Sequence, residues 1–386
     1  MSITIKEALK LNNLMNFRLV AGEWGLDKGI EKVGILDYEI IDEIEGKFGE
    51  GDFVLTSFTV ARNDVNLLIQ SIEKLIKAGV SGLAIKSIFY SELPIQVIEY
   101  ANERSFPVFI FGNSVYFEDI ITDIMDAIRN KDDYELLETK IDIIIKNGIS
   151  KSMVRELAFE INTSFKENFI VAYCKEKKYI NNENIIRLIE GLKRNKTKSI
   201  YQSVFKYRSG ILIIFSFENI EYNTVINKLY GLMDNIGIDN DKYTIGISNS
   251  HVNLNELDRG INESMYAVKV SEISGEKKSF YKDIGIYKIV MPFIDKVWIK
   301  DFHEEIIKPL KSYDEKYNTQ ILTTAIKYIE NDGNVKKTSQ ELFQHDNTIR
   351  YRINKMKEIL NMEDLDGGFY EQLSIAIKIH KIISKS

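Results

Sequence analysis

Apolar residues recur along this chain in two rhythms. Short apolar runs at 17–21, 32–36, 53–56, 82–86 and 108–111 predict strands. Between them, Val65, Leu68, Ile69, Ile72, Leu75 and Ile76 recur at helical steps, which predicts an amphipathic helix over 65–78. A second helix is expected over 94–104. Strands alternating with helices imply an α/β layer whose sheet is at least partly parallel. From 115 to 148 the pattern is helical throughout, with one stripe at Ile120, Ile121, Ile124 and Ile128 and another at Leu137, Ile141, Ile144 and Ile145. Lys131-Asp132-Asp133 separates the stripes. They are too short and irregular for a coiled coil, and fit either a dimer contact or packing onto the chain's own domains. Further on, apolar runs at 169–174, 199–206, 211–217 and 243–247 predict a second set of strands with helices between them.

The C-terminal part is patterned for helices alone. Residues 334–360, NVKKTSQELFQHDNTIRYRINKMKEIL, read as two short helices joined by a tight polar turn. In the second helix Ile349, Ile353, Met356 and Leu360 fall at steps of four, three and four, on one face. Asn347, Tyr351, Asn354 and Lys355 fall opposite, with Thr348 and Arg350 on the flanks. Asp346 or Asn347 is the expected cap. The first helix turns Val335, Ser339, Leu342 and Phe343 toward the same interior, and Gln344, His345 and Asp346 form the turn.

The polar side chains of this pair have a shared chemistry. Arg350 and Arg352 can each donate paired hydrogen bonds to a phosphate or a guanine edge. Asn347 can pair with adenine. Thr348 and Tyr351 suit phosphate oxygens or a thymine methyl. His345 can touch a phosphate from the turn. Lys336, Lys337, Lys355 and Lys357 supply attraction without regard to base sequence. Arg352 lies nearer the buried edge, so a bracing role is its alternative. An ordinary helical hairpin with a solvated face has the same spacing; clustering at the start of one helix is what favours a helix-turn-helix reading.

Composition narrows the picture. A chain of 386 residues implies roughly two to four domains. No apolar run reaches the roughly eighteen residues of a membrane span, and 1–13 shows no secretion signal. One cysteine, Cys174, excludes an internal disulfide framework. A cytoplasmic location is the expectation. The net charge of −6 is unusual for a nucleic-acid binder, but the local balance decides. Residues 334–360 hold four lysines and two arginines against Glu341, Asp346 and Glu358. That modest surplus points to two copies acting together, hence a homo-oligomer.

Residues 317–386 resemble the C-terminal DNA-binding domain of PucR-type bacterial transcription regulators. The matching residues are Asn331-Asp332-Gly333-Asn334, Thr338-Ser339, Leu342, His345, Asn347, Thr348, Arg350, Tyr351, Arg352 and Ile353. Two positions depart from that pattern. Ser339 stands where alanine is usual, and Asp346 where a basic residue is common. Asp346 places a negative charge near DNA. The N-terminal region resembles the first domain of the same regulators through Val20-Ala21-Gly22, Gly25-Leu26-Asp27, Gly29-Ile30 and Val33-Gly34-Ile35-Leu36-Asp37. Gly51 to Ser57, Ala78 to Ile85, Phe106-Pro107-Val108 and Phe117-Glu118-Asp119-Ile120 continue it. The resemblance implies a domain that senses a small metabolite, often linked to nitrogen or purine use. Thr56, Ser57 and Arg62, joined by Asp37 and Lys86, are candidate effector residues, because ligands settle at the C-terminal ends of strands in open α/β sheets. Helix capping and loop solvation are their alternative roles.

The middle region resembles the degenerate cyclase-like domain of PucR- and CdaR-type regulators. Thr244-Ile245-Gly246-Ile247-Ser248, then Leu257, Ile261, Ser264 and Ala267, then Tyr281-Lys282-Asp283-Ile284-Gly285 carry that resemblance. A working diguanylate cyclase holds metal with acidic residues on a glycine-rich hairpin. The corresponding stretch, 205–211, has one glycine, no carboxylate and two positive charges. Neither a phosphate-binding loop nor a dinucleotide fingerprint is present. His251, His303, His345 and His380 are scattered, without a carboxylate or cysteine at ligand spacing. Cys174 lies in an expected strand, buried and inert.

The expected architecture is therefore multidomain α/β plus α. It comprises an N-terminal α/β sensing domain at 1–125, a helical linker or dimerisation segment at 126–165, a degenerate nucleotidyl-cyclase-like α+β domain at 166–295, and an all-α helix-turn-helix domain at 296–386. The expected function is metabolite-responsive, DNA-binding transcription regulation. Its partners are double-stranded DNA and an unidentified small-molecule effector, with no metal, cofactor or membrane. The alternative is a nucleotide-binding receptor or cyclase-like enzyme built on the middle domain.

Overall fold

The computed structural model describes residues 2–37, 44–62, 64–177, 185, 188–189 and 201–384. Two compact units divide at Leu137 and Glu138.

In the first unit, β1 (Ile3–Thr4) pairs with β3 (Gly29–Ile30) as a small ribbon. The main sheet holds β2 (Arg18–Ala21), β4 (Lys32–Ile35), β5 (Asp52–Thr56), β6 (Gly82–Lys86) and β7 (Val108–Phe111). Its spatial order is β2-β7-β6-β5-β4, parallel except for β2. Both faces are covered, so β5 and β7 are apolar and buried along nearly their whole length. Val54, Leu83, Ile85, Val108 and Ile110 face α1 (Val65–Lys77) and α2 (Ile95–Glu103). Phe53, Leu55, Ala84, Phe109 and Phe111 face the other way and meet Ile120, Ile124 and Ile128 of α3 (Phe117–Ile144). Asp64 caps α1 by accepting from the amides of Asn66 and Leu67. Gly22 needs its identity twice over: its φ is +76°, and a Cβ there would sit 2.0 Å from the Phe106 carbonyl oxygen.

The stripe at Ile120, Ile124 and Ile128 is thus core, not a free dimer seam. Ile141 and Ile144 are also buried. The expected continuous helix over 115–148 ends at Ile144, and α4 (Lys151–Ile161) begins after a Gly148 with φ +88°.

The second unit contains β8 (Asn168–Glu176), β9 (Gln202–Tyr207), β10 (Gly210–Phe217), β11 (Tyr243–Ile247) and β12 (Lys278–Phe280), in the order β12-β11-β8-β10-β9. Neighbours are antiparallel, except that β11 and β12 run parallel. Residues 199 and 200 of the expected strand lie outside the described residues; β9 begins at Gln202. Helix α5 (Tyr222–Ile236) precedes β11, and α6 (Leu257–Ser274) follows it. Gly246 lets α6 lie directly on the sheet, because a Cβ would meet the Ser264 carbonyl oxygen at 2.1 Å. Cys174 is buried in β8, and burial pushes its thiol well above the ordinary range.

The remainder is helical: α7 (Val297–Tyr317), α8 (Ile321–Glu330), α9 (Val335–Glu341), α10 (Asp346–Ile359) and α11 (Asp366–Ser384). They share one core, including Ile307, Leu310, Ala325, Ile329, Ile349, Ile353, Met356, Phe369 and Leu373. Among the described residues no helix is long and apolar enough to cross a membrane. The fold is a mixed α/β chain ending in a helical helix-turn-helix region.

Candidate nucleic-acid interface

The interface is built from α9 and α10. Asn334 starts α9 by accepting from the Lys337 amide at 3.0 Å. Its break from α8 is set by Gly333, whose φ is +77° and whose amide donates to the Tyr328 carbonyl at 2.8 Å. Thr338 and Ser339 are buried, so the short helix lies close against its neighbours. At its end Leu342 is the C-cap and Phe343 has φ +52°. The Phe343 amide donates to the Gln340 carbonyl at 3.3 Å, and the Gln344 amide to the Ser339 carbonyl at 2.9 Å. That pair of bonds is a Schellman ending.

Helix α10 begins one residue earlier than its expected caps. The cap is His345, whose Nδ1 accepts from the Asn347 amide at 3.3 Å, whereas Asp346 and Asn347 lie inside the helix. Asp346 turns its side chain back to α9 and accepts from the Ser339 hydroxyl at 2.5 Å. The two departures from the resembled pattern therefore meet each other. As expected, Ile349, Ile353 and Met356 are buried. Asn347, Arg350, Tyr351 and Asn354 are exposed on the other side, and Lys336 and Lys337 are exposed on α9. Thr348 is half-buried.

Three side chains behave differently from their neighbours. Arg352 donates through Nη1 to Thr324 Oγ1 at 2.9 Å, so it braces α10 against α8. Lys355 is paired with Glu358 at 2.6 Å, and that hydrogen bond holds its ammonium above the ordinary range. Phe343, expected in the interior, is 93 % exposed. The left-handed backbone at the end of α9 swings its ring outward, which apolarity alone could not show.

The candidate effector residues separate into two groups. Ser57 donates to Asp37 at 2.9 Å and bonds Thr59 at 2.8 Å, just past the C-terminal ends of β4 and β5. Lys86 ends β6, with Nζ 5.3 Å from the centre of the Tyr116 ring. Arg62 is exposed on the loop after β5. Thr56 is different: it is fully buried, donates to the Leu36 carbonyl and accepts from the Phe58 amide at 2.8 Å. Both its bonds serve the backbone, so Thr56 is scaffold and not part of an open polar patch.

The β9–β10 hairpin turns at Arg208 and Ser209, and its charges are already engaged. Lys206 pairs with Glu138 at 3.4 Å and Arg208 with Asp142 at 3.2 Å. The Tyr207 hydroxyl donates to Asp142 at 2.7 Å.

The histidines are less scattered than the sequence suggests. His251 is buried with Nδ1 3.2 Å from Glu256 and Nε2 3.1 Å from Glu263. Arg259 donates to the other Glu263 oxygen at 3.0 Å. Burial opposes charge on the ring, but the Glu263 and Glu256 carboxylates outweigh it and raise the pKa of His251. His251, the Asn249 amide and Arg259 lower that of Glu263 against its own burial. His303 and His380 face each other with ring nitrogens 3.1 Å apart, and burial lowers both. His303 and His380 come from α7 and α11, 77 residues apart, so linear spacing carries no sign of that pair.

Two family models match the chain. The purine catabolism regulatory protein-like family covers residues 7–128, and the PucR C-terminal helix-turn-helix domain covers residues 321–379. The chain therefore carries a PucR-type N-terminal domain and a PucR-type C-terminal helix-turn-helix domain. Three Bacillus subtilis (strain 168) proteins resemble parts of this chain. The proline-responsive transcriptional activator PutR is 28 % identical over 140 residues, which is 36 % of this chain and 34 % of PutR. The DNA-binding transcriptional activator AdeR is 24 % identical over 34 % of this chain and 32 % of its own length. The purine catabolism regulatory protein is 24 % identical over 35 % of this chain and 25 % of its own. The chain thus spans about a third or less of each of these relatives.

Proposed function

We propose that this protein is a PucR-type transcriptional regulator that binds double-stranded DNA through α10 and responds to a small metabolite. The observation that carries this reading is the two-sided α10: Ile349, Ile353 and Met356 are anchored in the core while Asn347, Arg350 and Tyr351 project outward at the start of the helix. Those side chains read base edges. Lys336, Lys337, His345 and Thr348 hold phosphates, Lys355 joins them by exchanging Glu358 for the duplex, and Arg352 sets the angle of the helix. Asp346 accepts from Ser339, so the negative charge that departs from the resembled pattern is engaged within the pair of helices.

The metabolite belongs to nitrogen or purine catabolism, a class supported by the likeness to the proline-responsive activator and the purine catabolism regulatory protein. It binds at the ends of β4, β5 and β6, near Asp37, Ser57, Arg62 and Lys86. Domains divide near 1–125, 126–165, 166–295 and 296–386. The third is a degenerate cyclase-like relay without catalysis, which the ion-paired hairpin at Lys206 and Arg208 supports. The protein works as a homo-oligomer in the cytoplasm.

The test is a mobility shift of the full chain on DNA from upstream of its own gene, at two salt concentrations. Retention of that fragment over an unrelated one, weakening as salt rises, is the expected result. Equal or absent retention contradicts the reading.

A further inference from the structure

We propose that Phe343 is a specificity residue that packs its ring on a thymine methyl group in the major groove. This inference rests on the DNA-binding reading above and adds a residue and a base to it.

Phe343 carries backbone strain that the fold does not offset. Phe343 occupies the position after the C-cap of α9, where φ is +52°. Glycine is the ordinary residue there, because a side chain crowds the left-handed backbone. Among the described residues, four of the eight non-glycine positions with positive φ are asparagine or aspartate, Asn219, Asn318, Asp332 and Asn361, whose short polar chains tolerate it. Phe58 is, among the described residues, the other bulky aromatic in this state, also at φ +52°, and it is 4 % exposed within the first unit's core. Its burial offsets its backbone. Phe343 is 93 % exposed, so the folded chain gains almost nothing from the ring. The gain must come from something outside the fold.

Location says what that is. Phe343 stands two residues before the His345 cap of α10, between the exposed Gln340 and Gln344. The proposed base-reading residues Asn347, Arg350 and Tyr351 follow directly on. A ring presented beside polar readers at the mouth of the major groove meets one apolar feature on base edges, the C5 methyl of thymine. Adenine and thymine are thereby read together, by Asn347 through hydrogen bonds and by Phe343 through contact.

Glycine substitution separates this role from a structural one. Phe343→Gly relieves the backbone and should leave the thermal midpoint unchanged or raised. The DNA is a fragment that the wild-type full chain selects from a random-sequence library, made once with thymine and once with deoxyuridine throughout. On thymine DNA the variant should bind about tenfold more weakly than wild type. On deoxyuridine DNA, which lacks the methyl, the two should bind within about twofold of each other. Equal binding on thymine DNA overturns the proposal while leaving DNA binding intact. A tenfold loss that persists on deoxyuridine DNA overturns it too, by pointing to a sugar or phosphate contact. A midpoint that falls by several degrees shows a structural role and also overturns it. Failure of the wild type to select any fragment removes both this inference and the reading beneath it.

Discussion

Ser339 and Asp346 offer a sharp test of how α9 and α10 are joined. The Ser339 hydroxyl has one proton and two acceptors, Asp346 Oδ1 at 2.5 Å and the Lys336 carbonyl at 2.9 Å. The shorter bond goes to a carboxylate, and hydrogen bonds to charged groups contribute about 1.5–3 kcal/mol when removed. Asp346 is half-buried, so water replaces part of the lost bond in Ser339→Ala. Alanine also favours a helix over serine by about 0.5 kcal/mol. The net cost should be about 1 kcal/mol. A double-mutant cycle with Ser339→Ala, Asp346→Ala and the pair, read by urea denaturation of the full chain, isolates the bond. A coupling of about 1 kcal/mol is expected. Additivity within about 0.3 kcal/mol would mean that the two side chains do not interact, and that each departure from the family pattern needs its own explanation.

Other consequences follow from the same packing. Ile353→Asp places an unpaired charge where the native residue is 9 % exposed, and should cost about 4 kcal/mol or more; an unchanged circular dichroism melt would mean the buried face of α10 is misassigned. Asp314 accepts from the Ile321 amide at 2.6 Å, the Leu322 amide at 2.9 Å and the Thr319 hydroxyl at 2.6 Å, so it caps α8 from α7. Asp314→Ala should lower stability by about 1–2 kcal/mol, with denaturant midpoints as the check. His251, raised above its ordinary 6.5, contributes stability that is complete below pH 6.5 and fades as pH rises through its folded value. Glu263, lowered below 4.5, contributes stability that is complete above pH 4.5 and fades in acid. Stability from this pair should therefore be greatest between those limits, and His251→Gln should flatten the alkaline decline in a pH series of melts. A decline that survives His251→Gln would assign it elsewhere.

Much of the fold was legible because burial imposes a period. Val54, Leu83 and Val108 stand in apolar runs since both faces of their sheet are covered. Ile349, Ile353 and Met356 show their face through helical steps alone. The stripe at Ile120, Ile124 and Ile128 was visible too, but a stripe does not say what covers it, and here it is the chain's own core. What stayed hidden depends on backbone sign or on distant partners. Phe343 looks like core by type, and only its left-handed φ turns it outward. Thr56 looks like a ligand-binding hydroxyl, yet its bonds to Leu36 and Phe58 close it off. His251 gains its carboxylates from a turn and the helix after it.

The claim that the exposed side of α10 enters a duplex is tested most directly by Arg350→Ala in the full chain, titrated onto the DNA fragment that the wild type selects. Arg350 is exposed and outside the core, so the variant should melt like wild type. Its binding should weaken by about 1–3 kcal/mol. Undiminished affinity from a folded Arg350→Ala protein would contradict the account.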